Sequence, residues 1–465
     1  MKPNPSFTGP AKYTWREIDR VEPPKRPASE RVEDFRDIGG VYDEATARAQ
    51  ASRCIQCPNA GCMAVCPLKC PIPELLELVA GGQFAEAARL FFSSHHIPEL
   101  ASHTCVGGRV CERDCILQGK SEPVPIRAIT RFVLDYGWRH GLAEPALAPS
   151  KAQRVAVIGS GICGLVTADA LSRLGYGVAV YDSRQKPGGR MMNGLPGFRV
   201  DLEMVAQRVE LLQRRGIQFH MGVTFGADAK LSDLRRDYDA VFLGIVRNEE
   251  VPLKVPGAEL RGVHPSVPFI SQRTPTVDVR GKRVVVLGGG DTAMDVLRVA
   301  IRRDAASAVC LYRRDEASLP ADAEEYADTR EEGAQFQFQT QPVAVLGNAR
   351  GEMTHVRCVR TELGEKGPDG RPMVTPIPGS EFDVPADIVF VAYGFTAPRL
   401  PDAEDFARLK TDERGRVVVD ADQMTNLPGV FAGGSIVHGP VPLVEVVRDA
   451  QTAAAAMDRY LAARK

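Results

Sequence analysis

The chain has 465 residues, of which 44% are hydrophobic and 25% are charged, so it is long enough for about three globular domains. Its 58 Lys and Arg residues against 59 Asp and Glu leave a formal charge of -1, which excludes a general electrostatic attraction to nucleic acid or anionic lipid. The N-terminus has no apolar signal-peptide core, and no stretch approaches the ~18 apolar residues of a membrane span. These features predict a cytoplasmic protein.

Residues 1–150 contain helical patterns, such as "IPELLELVAGGQFAEAARLFF", and most of the cysteines. The clustered cysteines are Cys54, Cys57, Cys62, Cys66, Cys70, Cys105, Cys111 and Cys115. In a long chain without a secretion signal, this grouping favours metal ligation over disulfides. The motifs C-x2-C-x4-C-x3-C and C-x5-C-x3-C suit iron–sulfur clusters, although CxxC pairs also build zinc sites. The three remaining cysteines lie singly in apolar stretches and are predicted to be buried structural residues: Cys163, Cys310 and Cys358.

From residue 151 onwards, short apolar runs alternate with helical stretches. This alternation predicts βαβ units and therefore parallel sheets, as in an α/β fold. The runs are "RVAVIG", "GVAVYD", "YDAVFLG", "RVVVLG", "AVCLYR" and "ADIVFVAYG". The Gly- and Pro-rich stretch "GEKGPDGRPMVTPIPGSEF" interrupts the pattern and predicts a β-hairpin.

A first glycine motif, Gly159-Ser-Gly161-Ile-Cys-Gly164, follows a predicted strand and opens a predicted helix. Glycines there permit a tight turn and let a pyrophosphate approach the helix N-terminus. The next strand ends at Asp182, where a carboxylate would accept hydrogen bonds from an adenosine ribose. A second glycine-rich stretch, with Gly188 and Gly189, offers another close backbone approach to a ligand. We therefore predict a dinucleotide site, the alternative being a glycine turn that binds nothing.

A second motif, Gly288-Gly-Gly290-Asp-Thr-Ala, repeats this plan with alanine in the third glycine position. The strand that follows ends in Arg313 and Arg314 instead of an acid. A guanidinium pair suits the 2′-phosphate of NADP(H), although a solvated cluster of charged residues at the end of a strand could have the same sequence. Two dinucleotide motifs in one chain indicate a flavin site and a nicotinamide site with hydride transfer between them.

From about residue 30 onwards, the chain resembles the small (beta) subunit of NADPH-dependent glutamate synthase and the N-terminal half of dihydropyrimidine dehydrogenase. The matching stretches run in order along the sequence, among them "RCIQCPNAGCMAVCP", "VAVIGSGICGL", "GKRVVVLGGGDTAMDV", "YRRDEASLP", "FVAYGF" and "GVFAGGSIVHG". The resemblance implies a helical domain with two [4Fe–4S] clusters, then two Rossmann-like domains of the disulfide-reductase type, the second inserted in the first. The implied domains are the bis-cluster domain at 1–150, the FAD domain at 151–275 and 386–465, and the NAD(P)H domain at 276–385.

The resemblance also implies roles for single residues. One cluster would be held by Cys54, Cys57, Cys62 and Cys115, and three irons of the other by Cys66, Cys105 and Cys111. The implied FAD contacts are Gly159, Gly161, Gly164, Asp182, Gly188, Gly189, Arg190, Arg199, Gly434 and Ser435. The implied NADP(H) contacts are Gly288, Gly290, Asp291, Thr292, Arg313 and Arg314, with Gly394 in the matching stretch "FVAYGF".

The sequence departs from the family pattern at three positions. Thr130 stands where relatives place a Glu or Gln as the fourth ligand of the second cluster, so that cluster would recruit Cys70, bind water or another group, or be altered or lost. Ser435 stands where relatives have an Asp that holds the ribityl chain of the flavin. Val246 replaces a family glycine. The last two changes put ordinary FAD binding in doubt.

The resemblance implies an electron-input subunit, which oxidises NADPH through FAD and passes electrons along two clusters to a separate catalytic subunit. The family serves several unrelated catalytic partners, so the final substrate stays open. No CxxC motif follows the flavin motif, which argues against thioredoxin-reductase chemistry. The alternative is a structural or electron-relay subunit that kept the scaffold and clusters but lost FAD turnover.

Overall fold

The computed structural model describes residues 14–103, 105, 110–245, 249–271, 277–367, 370–396, 400–401 and 404–464. Its helices are, in chain order, α1 Ala28–Arg31, α2 Glu44–Ser52, α3 Gly61–Val65, α4 Ile72–Ala80, α5 Phe84–Ser94, α6 Pro98–His103, α7 Ile126–Arg139, α8 Ile162–Arg173, α9 Gly189–Asn193, α10 Leu202–Arg214, α11 Leu231–Asp237, α12 Val267–Ile270, α13 Asp291–Arg302, α14 Ala323–Glu331, α15 Glu404–Ala407, α16 Ser435–His438 and α17 Leu443–Ala462. Its strands are β1 Arg154–Ile158, β2 Gly177–Asp182, β3 Gln218–Met221, β4 Ala240–Leu243, β5 Val263–Pro265, β6 Arg283–Leu287, β7 Ser307–Leu311, β8 Gln335–Gln337, β9 Thr340–Gly347, β10 Met353–Lys366, β11 Pro372–Pro376, β12 Phe382–Pro385, β13 Ile388–Val391 and β14 Val430–Ala432.

Helices α1–α7 form what we call the helical unit. Its core is built from the apolar faces of α2, α4, α5 and α7, where Phe84 and Phe132 meet edge to face with ring centroids 5.2 Å apart. Six of the clustered cysteines either lie in this core or pack against it. The predicted helical character of the cysteine-bearing region is confirmed.

The first nucleotide unit is a parallel sheet in the order β14-β4-β1-β2-β3. Its central strand β1 is buried on both faces, because side chains alternate along a strand: Val155 and Val157 contact the core under α8 and α17, and Ala156 and Ile158 contact the core on the other side. The strand β14 enters this sheet only after the whole second sheet has been completed. One nucleotide unit is therefore inserted in the other, as the resemblance implied.

The second nucleotide unit is another parallel sheet, in the order β5-β13-β6-β7-β8, with an antiparallel sheet of β9–β12 beside it. The predicted hairpin is confirmed as the antiparallel pair β10 and β11. The predicted boundaries differ at two strands, since β5 precedes residue 276 and β13 follows residue 385. Both strands pair with this sheet because β13 hydrogen-bonds to β5 and β6.

Buried ion pairs join the helical unit to the first nucleotide unit. Glu99 in α6 receives two hydrogen bonds from Arg208 in α10, at 2.6 and 3.0 Å, and neither side chain is more than 1% exposed. Asp169 in α8 is fully buried. It forms an ion pair with Arg215 at 2.8 Å and accepts a hydrogen bond from His96 at 2.9 Å. Burial opposes its ionisation, but the His96 hydrogen bond and the nearby arginine charges hold the pKa of Asp169 below its usual range.

The N-terminal segment joins the helical unit to the second nucleotide unit. Arg31 in α1 is 1% exposed and pairs with Asp328 at 3.0 Å and with Glu331 at 2.6 Å. A few residues later, the ring of Phe35 stacks on Phe198 of the first nucleotide unit, with centroids 6.3 Å apart. All three units therefore meet along this segment.

We expect Glu99→Ala to lower the apparent free energy of unfolding by about 3–5 kcal/mol, because it leaves Arg208 as a buried charge without its partner. The matched control is Glu144→Ala. Glu144 pairs with Arg214, which lies in α10 as Arg208 does, but both side chains of this pair are more than half exposed. The loss of unfolding free energy should therefore be no more than about 1 kcal/mol. Urea unfolding followed by circular dichroism measures both, and equal losses would contradict the expected importance of the buried pair.

Candidate functional site

The first set of thiols, Cys54, Cys57, Cys62 and Cys115, comes together from both ends of the cysteine-rich segment. Together they line a small cavity of about 30 Å³. Gly61 allows the two ends to meet, since a Cβ at this position would lie 2.7 Å from the carbonyl oxygen of Asp114. Burial, with the neighbouring thiols, raises the pKa of Cys54 to about 12 and that of Cys62 to about 11.

The second set, Cys66, Cys105 and Cys111, lies next to the first. Burial raises the pKa of Cys111 well above its usual range, and Cys105 and Cys66 raise it further. In contrast, a hydrogen bond from the Cys70 thiol is the main cause that lowers the pKa of Cys66 to about 6. The structure thus brings together the residues of each predicted ligand set and adds Cys70 to the second.

Thr130, the other residue considered for the second cluster, lies in α7. The first turn of this helix is tied to the thiols by Glu112, which accepts a hydrogen bond from the backbone N–H of Arg127 at 2.9 Å and stands next to Cys111 in the chain. Within the described residues, no group of three His, Cys, Asp or Glu side chains is close enough to hold a single metal ion.

The turn between β1 and α8 has the close contacts that a dinucleotide turn requires. A Cβ at Gly164 would lie 1.8 Å from the carbonyl oxygen of Gly159, so only glycine fits there. A Cβ at Gly161 would meet no atom within 4 Å, which leaves open space at the helix N-terminus. The second glycine stretch borders this space, since a Cβ at Gly189 would lie 2.6 Å from the Cα of Gly161. The cradle therefore fits a pyrophosphate.

Asp182 ends β2 beside this turn. One carboxylate oxygen accepts hydrogen bonds from the backbone N–H and the hydroxyl of Ser160, both at 2.7 Å, which fix the carboxylate against the glycine turn. Arg190, in α9, has its guanidinium 4.0 Å from the ring centre of Phe395, the residue after Gly394. This contact brings Arg190 next to the chain segment that contains Gly394.

Arg199 lies at the contact between the two nucleotide units. Its guanidinium is 2.6 Å from Glu325 and 3.7 Å from Asp295, both in the second nucleotide unit. Asp295 is fully buried, and burial raises its pKa to about 7 despite the positive charge of Arg199. The predicted FAD contact of Arg199 stays a prediction, and this residue also joins the two units.

Gly434 and Ser435 lie between β14 and α17. Gly434 has φ 73°, and its N–H donates to the carboxylate of Asp449 at 3.1 Å. Asp449 is 1% exposed and lies 3.0 Å from His438. Sequence reasoning missed Asp449, and the signal that could have found it is an acid three residues after Val446 and four before Ala453, on the face of α17 that carries the buried apolar residues. Val246, the other departure in the flavin region, lies outside the described residues.

The turn between β6 and α13 repeats the same geometry. Gly288 has φ 130°, and a Cβ there would lie 2.3 Å from the carbonyl oxygen of Ala392, whereas a Cβ at Gly290 would meet nothing within 4 Å. Asp291 and Thr292 begin α13, and the Asp291 carboxylate accepts a hydrogen bond from the backbone N–H of Asp322 at 2.8 Å. A second open space for a pyrophosphate therefore lies at this helix N-terminus.

The two arginines after β7 differ in their environment. Arg313 is exposed, whereas Arg314 is 6% exposed and donates a hydrogen bond from Nε to the carbonyl oxygen of Pro372 at 2.7 Å. Arg313 is therefore the better placed of the two to meet a 2′-phosphate from solvent.

Two family models together match most of the chain. One, described as dihydropyrimidine dehydrogenase domain II, 4Fe-4S cluster, matches residues 31–142, and the other, described as pyridine nucleotide-disulphide oxidoreductase, matches residues 153–457. Among solved structures, Mycobacterium tuberculosis FprA in complex with NADPH aligns with a TM-score of 0.56 and 19% identity over 67% of this chain and 85% of that chain. The fold and the two matches define an NAD(P)H-dependent flavin oxidoreductase with a 4Fe–4S domain.

The small chain of NADPH glutamate synthase from Escherichia coli (strain K12) is 36% identical over 471 residues, which cover 97% of this chain and 98% of that protein. The oxidoreductase UacF of the same organism is 39% identical over 433 residues, which cover 89% of this chain and 67% of that protein. This chain belongs to the family of the glutamate synthase small chain.

The family matches also identify the cofactors as FAD, NADP(H) and 4Fe–4S. They decide between the two interpretations of the cysteines in favour of iron–sulfur over zinc. The thiol sets and the two open glycine turns fit these groups, while the role of each single residue stays a prediction.

We expect Gly161→Ala and Gly290→Ala to separate the two nucleotide sites. Each added methyl group enters open space, so the chain should fold normally. The methyl group should, however, occupy the place of a pyrophosphate. Gly161→Ala should therefore lose FAD, and Gly290→Ala should retain FAD and bind NADPH at least about tenfold more weakly. Flavin content per chain and NADPH titration measure the two effects, and each variant serves as control for the other. Full FAD content in Gly161→Ala would contradict the assigned flavin turn.

We expect Arg313→Gln to raise the KM for NADPH at least about tenfold and to leave that for NADH nearly unchanged, because a charge-assisted hydrogen bond contributes roughly 1.5–3 kcal/mol. Arg357→Gln is the matched control, because Arg357 is an exposed arginine of the same unit that pairs with Asp383. Equal losses for both coenzymes would show that Arg313 does not meet the 2′-phosphate.

Proposed function

We propose that this chain is the electron-input subunit of an oxidoreductase complex, in which it oxidises NADPH and delivers electrons through two [4Fe–4S] clusters to a separate catalytic subunit. One observation carries this proposal. Leu68, between Cys66 and Cys70, packs against the core of the helical unit and also against that of the first nucleotide unit. This contact puts the second thiol set near the junction of the helical unit with the first nucleotide unit, which supports a path for electrons between the proposed flavin unit and the thiols.

When bound, FAD accepts a hydride from NADPH, and the iron–sulfur clusters accept and pass single electrons. The glycine turns at Gly161 and Gly290 leave room for the two pyrophosphates, and Arg313 selects the 2′-phosphate of the coenzyme. Around the thiols, the apolar core of the helical unit excludes water.

The first thiol set is closer to solvent, and electrons leave the chain from this set. Met63 and Ile116, adjacent in the chain to Cys62 and Cys115, are 41% and 52% exposed although both are large and apolar. Exposed apolar side chains beside cluster ligands suit a surface that a protein partner covers. The catalytic subunit accordingly docks there and determines the final substrate, and the small-chain name of the Escherichia coli relative supports a separate partner.

The count of two clusters is supported by the eight thiols of the helical unit, four of which surround one cavity. We place the protein in the cytoplasm, where thiols stay reduced. In the described residues, no helix is long and apolar enough to cross a membrane. We also propose that the nicotinamide domain includes β5 and β13, because both strands pair in the second sheet.

We expect the purified protein to be brown and to contain one FAD and about eight irons with matching acid-labile sulfide per chain. Anaerobic addition of NADPH should bleach the flavin absorbance and give the EPR signals of reduced clusters, whereas NADH should act much more slowly. Zinc without sulfide would contradict the clusters. Clusters without flavin would instead favour a pure electron-relay subunit.

A further inference from the structure

The loop from Cys66 to Cys70 folds back on itself. Lys69 has φ 52°, a left-handed conformation that is uncommon for residues other than glycine, and its N–H donates to the carbonyl oxygen of Cys66 at 3.0 Å. This turn brings the thiol of Cys70 within hydrogen-bonding distance of the Cys66 sulfur. The same sulfur accepts hydrogen bonds from the backbone N–H groups of Leu68 and Lys69. The tight turn therefore holds both sulfurs on one side of the loop.

Cys70 faces the thiols of the second set. It is 9% exposed and lies in the same buried core as Cys111, close to Cys66 and Cys105. The four thiols of the first set are likewise close together and line one cavity. With Cys70 included, the eight thiols of the helical unit divide into two groups of four.

His95 lies on the other side of the Cys70 sulfur. Its Nε2 is 3.2 Å from this sulfur, and its Nδ1 is 3.0 Å from the hydroxyl of Ser94. The ring stacks on Phe91 with centroids 4.9 Å apart, so its orientation is fixed. In the tautomer whose hydrogen is on Nε2, this ring would donate to the sulfur, which is a contact that tunes a metal-bound thiolate from outside the ligand shell.

We propose that Cys70 is the fourth protein ligand of the second cluster, and that His95 donates a hydrogen bond from Nε2 to the ligating sulfur. The inference rests on the proposed function, because it requires the second cluster. Binding replaces the S–H bond of Cys70 by an Fe–S bond and releases the proton to solvent. The site is then held entirely by cysteine, and Thr130 is not a ligand.

The test compares Cys70→Ser with the matched control Cys358→Ser in the full chain, purified without air. Cys358 is equally buried but lies in β10 of the second nucleotide unit. In Cys70→Ser, the EPR signal of the second cluster should disappear or be replaced by that of a three-iron cluster, with a loss of about one to four irons per chain. FAD content and the signal of the first cluster should not change, and the control should match the wild type. Unchanged iron content and two unchanged signals in Cys70→Ser would overturn the proposal.

A second variant keeps the question decidable if Cys70→Ser does not fold. His95→Leu should keep both clusters but shift the g-values and the reduction potential of the second cluster only. Two unchanged clusters in this variant would contradict the assigned hydrogen bond to a ligating sulfur. The iron content of the wild type distinguishes failure of the Cys70 proposal from failure of the proposed function. A wild-type chain with about four irons would overturn the two-cluster function itself.

Discussion

The helical unit depends on bringing together thiols from two distant parts of the chain, six of which lie in its apolar core or pack against it. Burial and the neighbouring sulfurs raise the pKa values of thiols such as Cys54 and Cys111, so these groups stay protonated at neutral pH unless a metal replaces the protons. Cys115 lies close to cysteines that precede it by about sixty residues. A metal centre bound by this set would therefore also close the chain segment between them. Folding of this unit and assembly of its clusters are therefore coupled.

Buried charges lie where the three units meet, beside apolar contacts. Glu332 in the second nucleotide unit forms ion pairs with Arg298 and Arg302. Arg31 of the N-terminal segment lies 3.6 Å from the same carboxylate. Such pairs add little net stability over apolar packing, but a buried charge without its partner is costly. Because these pairs lie where the units meet, the loss of one partner would leave a buried charge at a junction between units.

The sequence predicted those features that depend on local chain geometry. The glycine turns at Gly161 and Gly290 and the apolar strands are local patterns, so their positions could be read directly. The environment of Arg314 could not, because its burial depends on Pro372, which lies nearly sixty residues later. The same holds for Asp449, for the contact of Arg199 with Asp295, and for the pairing of β5 and β13. Cys70 remained open for this reason, since its role depends on a left-handed Lys69 that no motif encodes.

The late return of β14 and α17 to the first sheet has a consequence for synthesis on the ribosome. Every strand of the second nucleotide unit precedes β14 in the chain, so the nicotinamide-binding unit can fold while the sheet for the flavin still lacks its edge strand and the helix that covers it. Gly434 and Asp449, which are joined by a hydrogen bond, are translated only after every strand of the second nucleotide unit. The first nucleotide unit can therefore be completed only after the second has been synthesised, and a nascent chain that stalls before β14 would carry a complete second unit beside an incomplete first one.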